Sequence, residues 1–220
     1  MSRAEEIAAN LADVRSRVEA AARRAGRDPF TVTLLAVTKT KPLEDLLAAY
    51  EAGVRHFGEN RVQEAEAKFP HLPADAVKHL VGPIQSNKAN KAARLADVLH
   101  AVDSAEIARR LARAAANEGR RLAVYLEVNT GGEETKAGVA PEEVPALVAD
   151  VRALPELDLR GLMSIPPPGE TRPHFVALRR LAEALGLSGL SMGMSDDFEA
   201  AIEEGSTIVR VGTALFGRRS

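Results

Sequence analysis

Lys39 closes the run Leu34-Leu-Ala-Val-Thr-Lys39, four apolar residues and a threonine followed by an amine. Such a run reads as a short buried strand, and Pro42 restarts the chain as a helix. Lys39 therefore stands at the carboxyl end of a strand, where α/β folds keep their ligands. A lysine that is partly desolvated, or near another cation, loses proton affinity and can attack a carbonyl to form a Schiff base. Lys41 either supplies that second charge or faces solvent, and for Lys39 taken alone a surface charge is the plainer reading.

Two later stretches offer an anion a cradle. Ser191-Met-Gly-Met-Ser195 presents Gly193 without a side chain and hydroxyls at Ser191 and Ser195, just before a helix; Gly212-Thr213 presents an open backbone approach and another hydroxyl. The loops after the seventh and eighth strands of a barrel commonly hold a phosphate, because exposed amides and the helix dipole neutralise its oxygens. Turn glycines and helix caps are the plainer account of both. Neither stretch has the spacing of a nucleotide loop, GxxxxGK[ST] or GxGxxG. Arg210 lies three positions before Thr213 and by alternation points inward with Ile208. There it needs a partner or a ligand, a buried glutamate or something held in the site. Asn60 follows the second strand and is either a ligand contact or a helix cap.

These residues can meet only if the strands that carry them share a rim. Apolar runs at residues 32–37, 54–57, 77–81, 98–102, 122–128, 157–163, 187–191 and 207–211 alternate with segments of helical periodicity. The repeat of roughly 25 residues is what a closed (β/α)8 TIM barrel requires; a doubly wound open sheet normally needs fewer strands. An extra amphipathic helix over residues 4–25 precedes the first strand and closes the bottom or side of the barrel. The expectation is one barrel domain over residues 1–220. Closure then gathers Lys39, Asn60, Gln85, Asn87, Asp103, Ser104, Asn129, Ser164, Ser191, Ser195, Gly212 and Thr213 at the carboxyl ends of the strands.

Composition narrows the chemistry. With 29 basic and 31 acidic residues the net charge is -2, so no broad field attracts nucleic acid or anionic lipid and any phosphate site must be local. Cysteine is absent, which removes thiolate nucleophiles and thiolate metal sites and suits a reducing cytoplasm. The histidines form no HxH or HxxxH set, so no metal is expected, and His56 and His79 read as packing residues inside strands. Glu133 and Glu134 read as a solvated loop face. No apolar run has the length of a membrane span, and the charged first 24 residues do not read as a signal peptide.

With these residues in place, the chain resembles the pyridoxal phosphate homeostasis proteins, the YggS/PROSC family. The similarity lies in Leu34-Leu-Ala-Val-Thr-Lys-Thr-Lys-Pro42, Phe57-Gly-Glu-Asn-Arg-Val-Gln-Glu64, Gly82 with Gln85-Ser-Asn-Lys88, Val102-Asp-Ser104, Leu159-Arg-Gly-Leu-Met163, Leu190-Ser-Met-Gly-Met-Ser195 and residues 205–217. The resemblance implies a barrel like the N-terminal domain of alanine racemase, binding pyridoxal 5′-phosphate as an aldimine. Lys39 falls on the Schiff-base lysine, Asn60 on a residue beside the ring, and Arg210 on the arginine facing the pyridine nitrogen. Ser191, Gly193, Gly212 and Thr213 match or neighbour the phosphate positions, and Lys136 matches a family lysine of open role. A guanidinium that keeps its own proton leaves that nitrogen unprotonated and the ring a poor electron sink. Pro83 stands where the family usually has a histidine. The implied function is intracellular vitamin B6 and amino-acid homeostasis in the cytoplasm, without established turnover. Apo forms of pyridoxal-phosphate enzymes would be recipients, and the protein a monomer or weak dimer with no nucleic-acid or membrane partner. The competing reading is an amino-acid racemase or related enzyme.

Overall fold

In the computed structural model, which describes residues 1–132 and 137–217, eight parallel strands close into a barrel in sequence order. They are β1 (Thr33–Val37), β2 (His56–Glu59), β3 (Val77–Leu80), β4 (Val98–Val102), β5 (Leu122–Glu127), β6 (Leu157–Met163), β7 (Gly189–Met194) and β8 (Ile208–Val211). The helices are α1 (Arg3–Arg24), α2 (Leu43–Glu51), α3 (Val62–Lys68), α4 (Ala89–Leu95), α5 (Ala105–Asn117), α6 (Val144–Arg152), α7 (Arg172–Ala184), α8 (Phe198–Glu203) and α9 (Thr213–Phe216). Closure is sealed by β1 and β8, with Leu35 opposite Arg210 and Ala36 opposite Val211.

Alternation along each strand makes two cores. Ala36, Phe57, Leu80, Leu99, Val124 and Val209 face the helices and join the main apolar layer, while Leu35, Val81, Ala101, Tyr125, Met163 and Ile208 pack inside the barrel. The interior also takes polar groups: His79, His100, Ser191 and Arg210 are all buried.

The first helix forms because Ile7, Leu11, Val14, Val18, Ala21 and Ala22 recur on one buried stripe and Ser2 and Glu5 make a capping box. It packs along the side of the barrel against α2, α8 and α9. The helix after β8 has only four residues, so α1 covers the flank that a full eighth helix would cover. Arg3 ties it to Asp45 and to the Phe216 carbonyl, Arg17 to Glu199 and Arg24 to Glu203.

Two strands differ from the expected ranges by more than one residue, and both differences bear on the site. The second begins at His56 and runs through Gly58 and Glu59, because the buried Glu59 carboxylate is hydrogen-bonded and so tolerated in a strand. The seventh extends to Met194 by way of a bulge: the β7–β8 register shifts between Ser191 and Met194, and Gly193 supplies φ +90°. Gly193 therefore lies inside a strand and not in the loop after it, and Ser191 stands within the strand and not at its end. Among the described residues, no helix is long and apolar enough to cross a membrane.

Candidate functional site

Lys39 sits at the corner of a tight turn after β1, closed by the Lys41 amide donating to the Thr38 carbonyl at 3.0 Å. Thr40 takes φ +65°, a left-handed conformation that costs a β-branched residue on the order of 1–2 kcal/mol. The turn is held from both sides. Thr38 Oγ1 donates to Glu59 Oε1 at 2.7 Å, and the Thr40 amide donates to Glu64 Oε2 at 2.8 Å. Lys68 Nζ joins the two halves by donating to Glu59 Oε1 (2.7 Å), Glu64 Oε2 (3.1 Å) and the Thr38 carbonyl (3.0 Å). Burial pushes the Glu59 carboxyl up despite Lys68 and Thr38. Burial acts the same way on Glu64, but its bonds from Thr40 and Lys68 hold it below the usual value.

Lys39 itself is half-buried. Among the described residues, nothing forms a hydrogen bond or ion pair with its ammonium. Lys41 neither faces solvent nor turns to Lys39: its Nζ donates to the carbonyls of Phe216 and Gly217 at 3.2 and 3.4 Å, the end of α9.

Arg210 points into the barrel and is only 3% exposed. Its NH1 donates to the Ser191 carbonyl (2.7 Å) and to Ser191 Oγ (2.9 Å), and its NH2 to the Ser164 carbonyl (2.8 Å). Burial lowers the guanidinium to about 10, opposed by the more distant charges of Glu127 and Asp197. The buried-glutamate partner is thus replaced by neutral oxygens from two neighbouring strands. Ser191 is correspondingly not a rim hydroxyl: it has no exposure and is shared between Arg210 and His100 Nδ1, 2.9 Å away. His79 and His56 continue that contact through the interior, so they are links in a polar chain and not apolar packing.

The β7 and β8 exits are joined by Ser195, whose Oγ accepts from the amides of Gly212 and Ala214 at 3.2 Å each. Gly212 lies beside β1: a Cβ there would stand 3.3 Å from the Val37 carbonyl, and Thr213 next to it is exposed. Gly193 has a different reason to be glycine. A Cβ at that position would come within 2.5 Å of Ala201 Cβ and 3.0 Å of Phe198 Cα, so the missing side chain makes room for α8. Asn60 follows β2 and lines a cavity of about 580 Å³ with Glu64, Pro83, Gln85 and Lys88. Ser104 caps α5 through a bond from the Ile107 amide. Glu133, Glu134 and Lys136 lie outside the described residues.

The rim thus brings together Lys39, Asn60, Gly212 and Thr213, with Arg210 beneath. Of the two hydroxyls that the sequence offered at the β7 exit, the extension of β7 selects Ser195. Two contributors escaped the sequence reading. The Glu59–Lys68–Glu64 clamp has a trace in the i,i+4 spacing of Glu64 and Lys68 on α3. Glu127, at the end of β5, is buried with Oε2 lacking a hydrogen-bond partner; burial and the nearby Asp103 raise its carboxyl to about 7 against the opposing pull of Arg210. Ser164 Oγ is likewise buried without a partner. Among the described residues, no group of three or more histidine, cysteine, aspartate or glutamate side chains is placed to hold a metal ion.

Residues 9–220 match the family model described as alanine racemase, N-terminal domain. The pyridoxal phosphate homeostasis protein of Pseudomonas aeruginosa is 50% identical over 97% of this chain and 96% of its own length. That of Escherichia coli strain K12 is 44% identical over 97% of each. Among solved structures, PipY of Synechococcus elongatus with pyridoxal phosphate bound superposes with a TM-score of 0.85 at 42% identity, covering 96% of this chain and 100% of that one.

Proposed function

The chain belongs to the pyridoxal phosphate homeostasis proteins, built on the alanine racemase N-terminal barrel, and from that premise we propose that residues 1–220 act as one domain that holds pyridoxal 5′-phosphate through Lys39. The function is binding and keeping of the cofactor in vitamin B6 homeostasis. Recipients would be apo forms of enzymes that depend on it. A cytoplasmic monomer or weak dimer, with no nucleic-acid or membrane partner, completes the proposal.

The observation that carries the assignment of Lys39 is its presentation: a strand-end amine, on a turn clamped by Glu59, Glu64 and Lys68, with no acceptor among the described residues. The rim fits the cofactor in three further respects. Gly212 has no side chain beside the β1 exit, and Ser195, whose Oγ accepts from the Gly212 and Ala214 amides, keeps its O–H to donate to a phosphate beside the exposed Thr213. Arg210 places a buried, permanently protonated donor below the site. Asn60 stands on the same rim at the next strand exit.

When bound, the cofactor supplies an aldehyde and an electron-poor pyridine ring. The chain's own groups then divide the work. Lys39 would hold the cofactor by its amine. Arg210 would face the ring nitrogen and, because it does not give up a proton, would leave that nitrogen an acceptor. Gly212, Thr213 and Ser195 would hold the phosphate, and Asn60 would flank the ring. Ser191 and Gly193 contribute indirectly, Ser191 by holding Arg210 and Gly193 by bulging β7 so that Ser195 reaches the rim.

A racemase needs acid/base groups on both faces of the substrate carbon. The tyrosines are spent elsewhere: Tyr50 Oη donates to Asp75 at 2.6 Å, and Tyr125 is buried inside the barrel stacked on His100. That disposition favours holding over turnover. Borohydride reduction of the cofactor-loaded protein, followed by peptide mass mapping, should place a pyridoxyl group on Lys39; label confined to another lysine would refute the assignment.

A further inference from the structure

The exits of β2 and β3 enclose a cavity of about 580 Å³, of which the cofactor reading uses only Asn60. Its volume lies in the range of sites for small organic ligands. Gly82 fixes the two exits against each other: a Cβ there would stand 2.2 Å from the Asn60 carbonyl oxygen, so the chain leaving β3 lies directly on the backbone of Asn60. The Lys88 amide donates to the Gln85 carbonyl at 2.8 Å and closes the turn that forms the far wall.

The polar side chains around this cavity are almost all unengaged. Among the described residues, Arg61 and Lys88 make no side-chain hydrogen bond or ion pair, and the side-chain amides of Asn60, Gln63 and Gln85 make no hydrogen bond. A larger cavity, of about 740 Å³ between α1 and the starts of β1 and β2, is also rich in arginine but differs in this respect. There Arg15, Arg27 and Arg55 already donate to carbonyl oxygens, and Arg23 is bound to Glu19. Donors that converge on a cavity without a partner in the fold are what a ligand site needs.

Charge decides what fits. Arg61 and Lys88 bring two positive charges. Glu64 brings a carboxylate whose Oε2 accepts from the Thr40 amide and Lys68, and whose Oε1 accepts from no N–H among the described residues. A simple anion drawn to the two cations would lie against Glu64, and a simple amine drawn to Glu64 would lie against the two cations. Like charges brought together in this way weaken binding. A molecule that carries both charges meets both needs, and Val62 and Pro83 leave it an apolar wall.

We propose that this cavity is a second binding site, which takes a free α-amino acid as its zwitterion, with the carboxylate on Arg61 and Lys88 and the ammonium on Glu64. The planar fork of an arginine matches a carboxylate, and a lysine adds a point charge beside it. The order β8, β1, β2, β3 around the barrel puts this site on one flank of Lys39 and the proposed phosphate region on the other. Glu64 ties the two together, because the carboxylate that meets the ammonium also holds the Thr40 amide next to Lys39. The inference goes beyond the proposed function: its ligand is not the cofactor, and no bond is made or broken when it binds.

The test is NMR titration of the ¹⁵N-labelled full chain without cofactor, using matched probes. L-Alanine carries both charges, propionate lacks the amine, L-alaninamide lacks the carboxylate, and inorganic phosphate is an anion of another kind. L-Alanine should shift the backbone amides of Asn60, Arg61, Gln85 and Lys88 saturably. Each of the other probes should bind at least about tenfold more weakly, the effect of losing one charge-assisted contact. Equal or tighter binding of any of them would overturn the zwitterion, and an absence of saturable shifts with L-alanine, or shifts confined to other residues, would overturn the site. Arg61→Gln and Lys88→Gln alter side chains that bond to nothing in the fold, so both variants should stay folded and each should bind L-alanine about tenfold more weakly. Unchanged affinity in either variant would reject the proposed carboxylate contacts. None of these readings uses cofactor binding, so their failure is distinct from failure of the Lys39 assignment.

Discussion

The backbone amide of Thr40 donates to Glu64 Oε2 at 2.8 Å while Thr40 holds a left-handed φ of +65°. The bond fixes the residue next to Lys39 in a conformation that its own side chain disfavours. Glu64 can do this because Lys68 neutralises it, and Lys68 is in turn held by the wholly buried Glu59. A turn with this support presents Lys39 in one place at little further entropic cost.

Lys68→Ala is expected to destabilise the fold by about 3–5 kcal/mol, because it leaves the Glu59 carboxylate buried without its cation. Adding Glu59→Gln should recover a large part of that loss, since the uncompensated charge is then gone. Denaturant unfolding of the two single variants and the double variant measures the coupling. Strictly additive effects would show that the clamp does not act as a unit.

The two glycines of the proposed phosphate region should separate in experiment. Gly193→Ala combines a left-handed φ with a 2.5 Å approach to Ala201 Cβ, so it should lose at least about 2 kcal/mol of stability. Gly212→Ala meets only the Val37 carbonyl at 3.3 Å and should keep the fold. Its effect should fall on pyridoxal phosphate binding and much less on binding of pyridoxal, which lacks the phosphate. Equilibrium titration of both ligands against both variants gives the answer. Equal affinity of the unaltered protein for the two ligands would remove the phosphate cradle altogether.

The barrel was legible in the sequence because its strands are short apolar runs at regular spacing, and Lys39, Asn60, Gly212 and Thr213 follow from knowing where those runs end. Apolarity misplaced the ends of β2 and β7. Glu59 looks like a loop residue until Lys68, nine positions on, is seen to neutralise it. Gly193 looks like a turn until its φ and the register shift show a bulge. Both concern partners that strand periodicity does not report. The histidine chain was hidden for the same reason: His56, His79 and His100 lie on three successive strands, far apart in sequence, and only closure aligns their ring nitrogens.

Glu127 gives the protein a pH dependence with a definite sign. Its carboxyl is raised to about 7 in the fold from 4.5, first by burial and then by Asp103. The folded state therefore binds this proton more tightly than the unfolded chain. Its contribution is fully present below about pH 4.5 and is lost as pH rises to about 7. A difference of this size corresponds to roughly 3 kcal/mol. Glu127→Gln should flatten the stability profile between those two pH values and leave the protein more stable than the parent above pH 7. Urea unfolding of the cofactor-free protein across that range tests it, and parallel profiles for the two proteins would show that Glu127 does not titrate there.

Glu127 also sharpens the question of turnover. A carboxyl that titrates near neutrality at the end of a barrel strand is chemically able to move a proton, and Lys39 is able to move another. Racemisation nevertheless needs the two groups on opposite faces of one carbon and a ring that accepts the electron pair. Arg210, held by the carbonyls of Ser191 and Ser164, keeps its proton and, in the proposed arrangement, would not assist that ring. The expected outcome with each common L-amino acid in deuterated water is α-hydrogen exchange no faster than that given by free pyridoxal phosphate, with no change of enantiomer. Exchange or conversion that exceeds this rate and disappears in Lys39→Ala would establish a catalyst. Loss of that same activity in Glu127→Gln, with cofactor attachment intact, would identify the second group. Transfer of the bound cofactor to an apo-enzyme without such exchange is the result that matches a protein made to keep pyridoxal phosphate and pass it on.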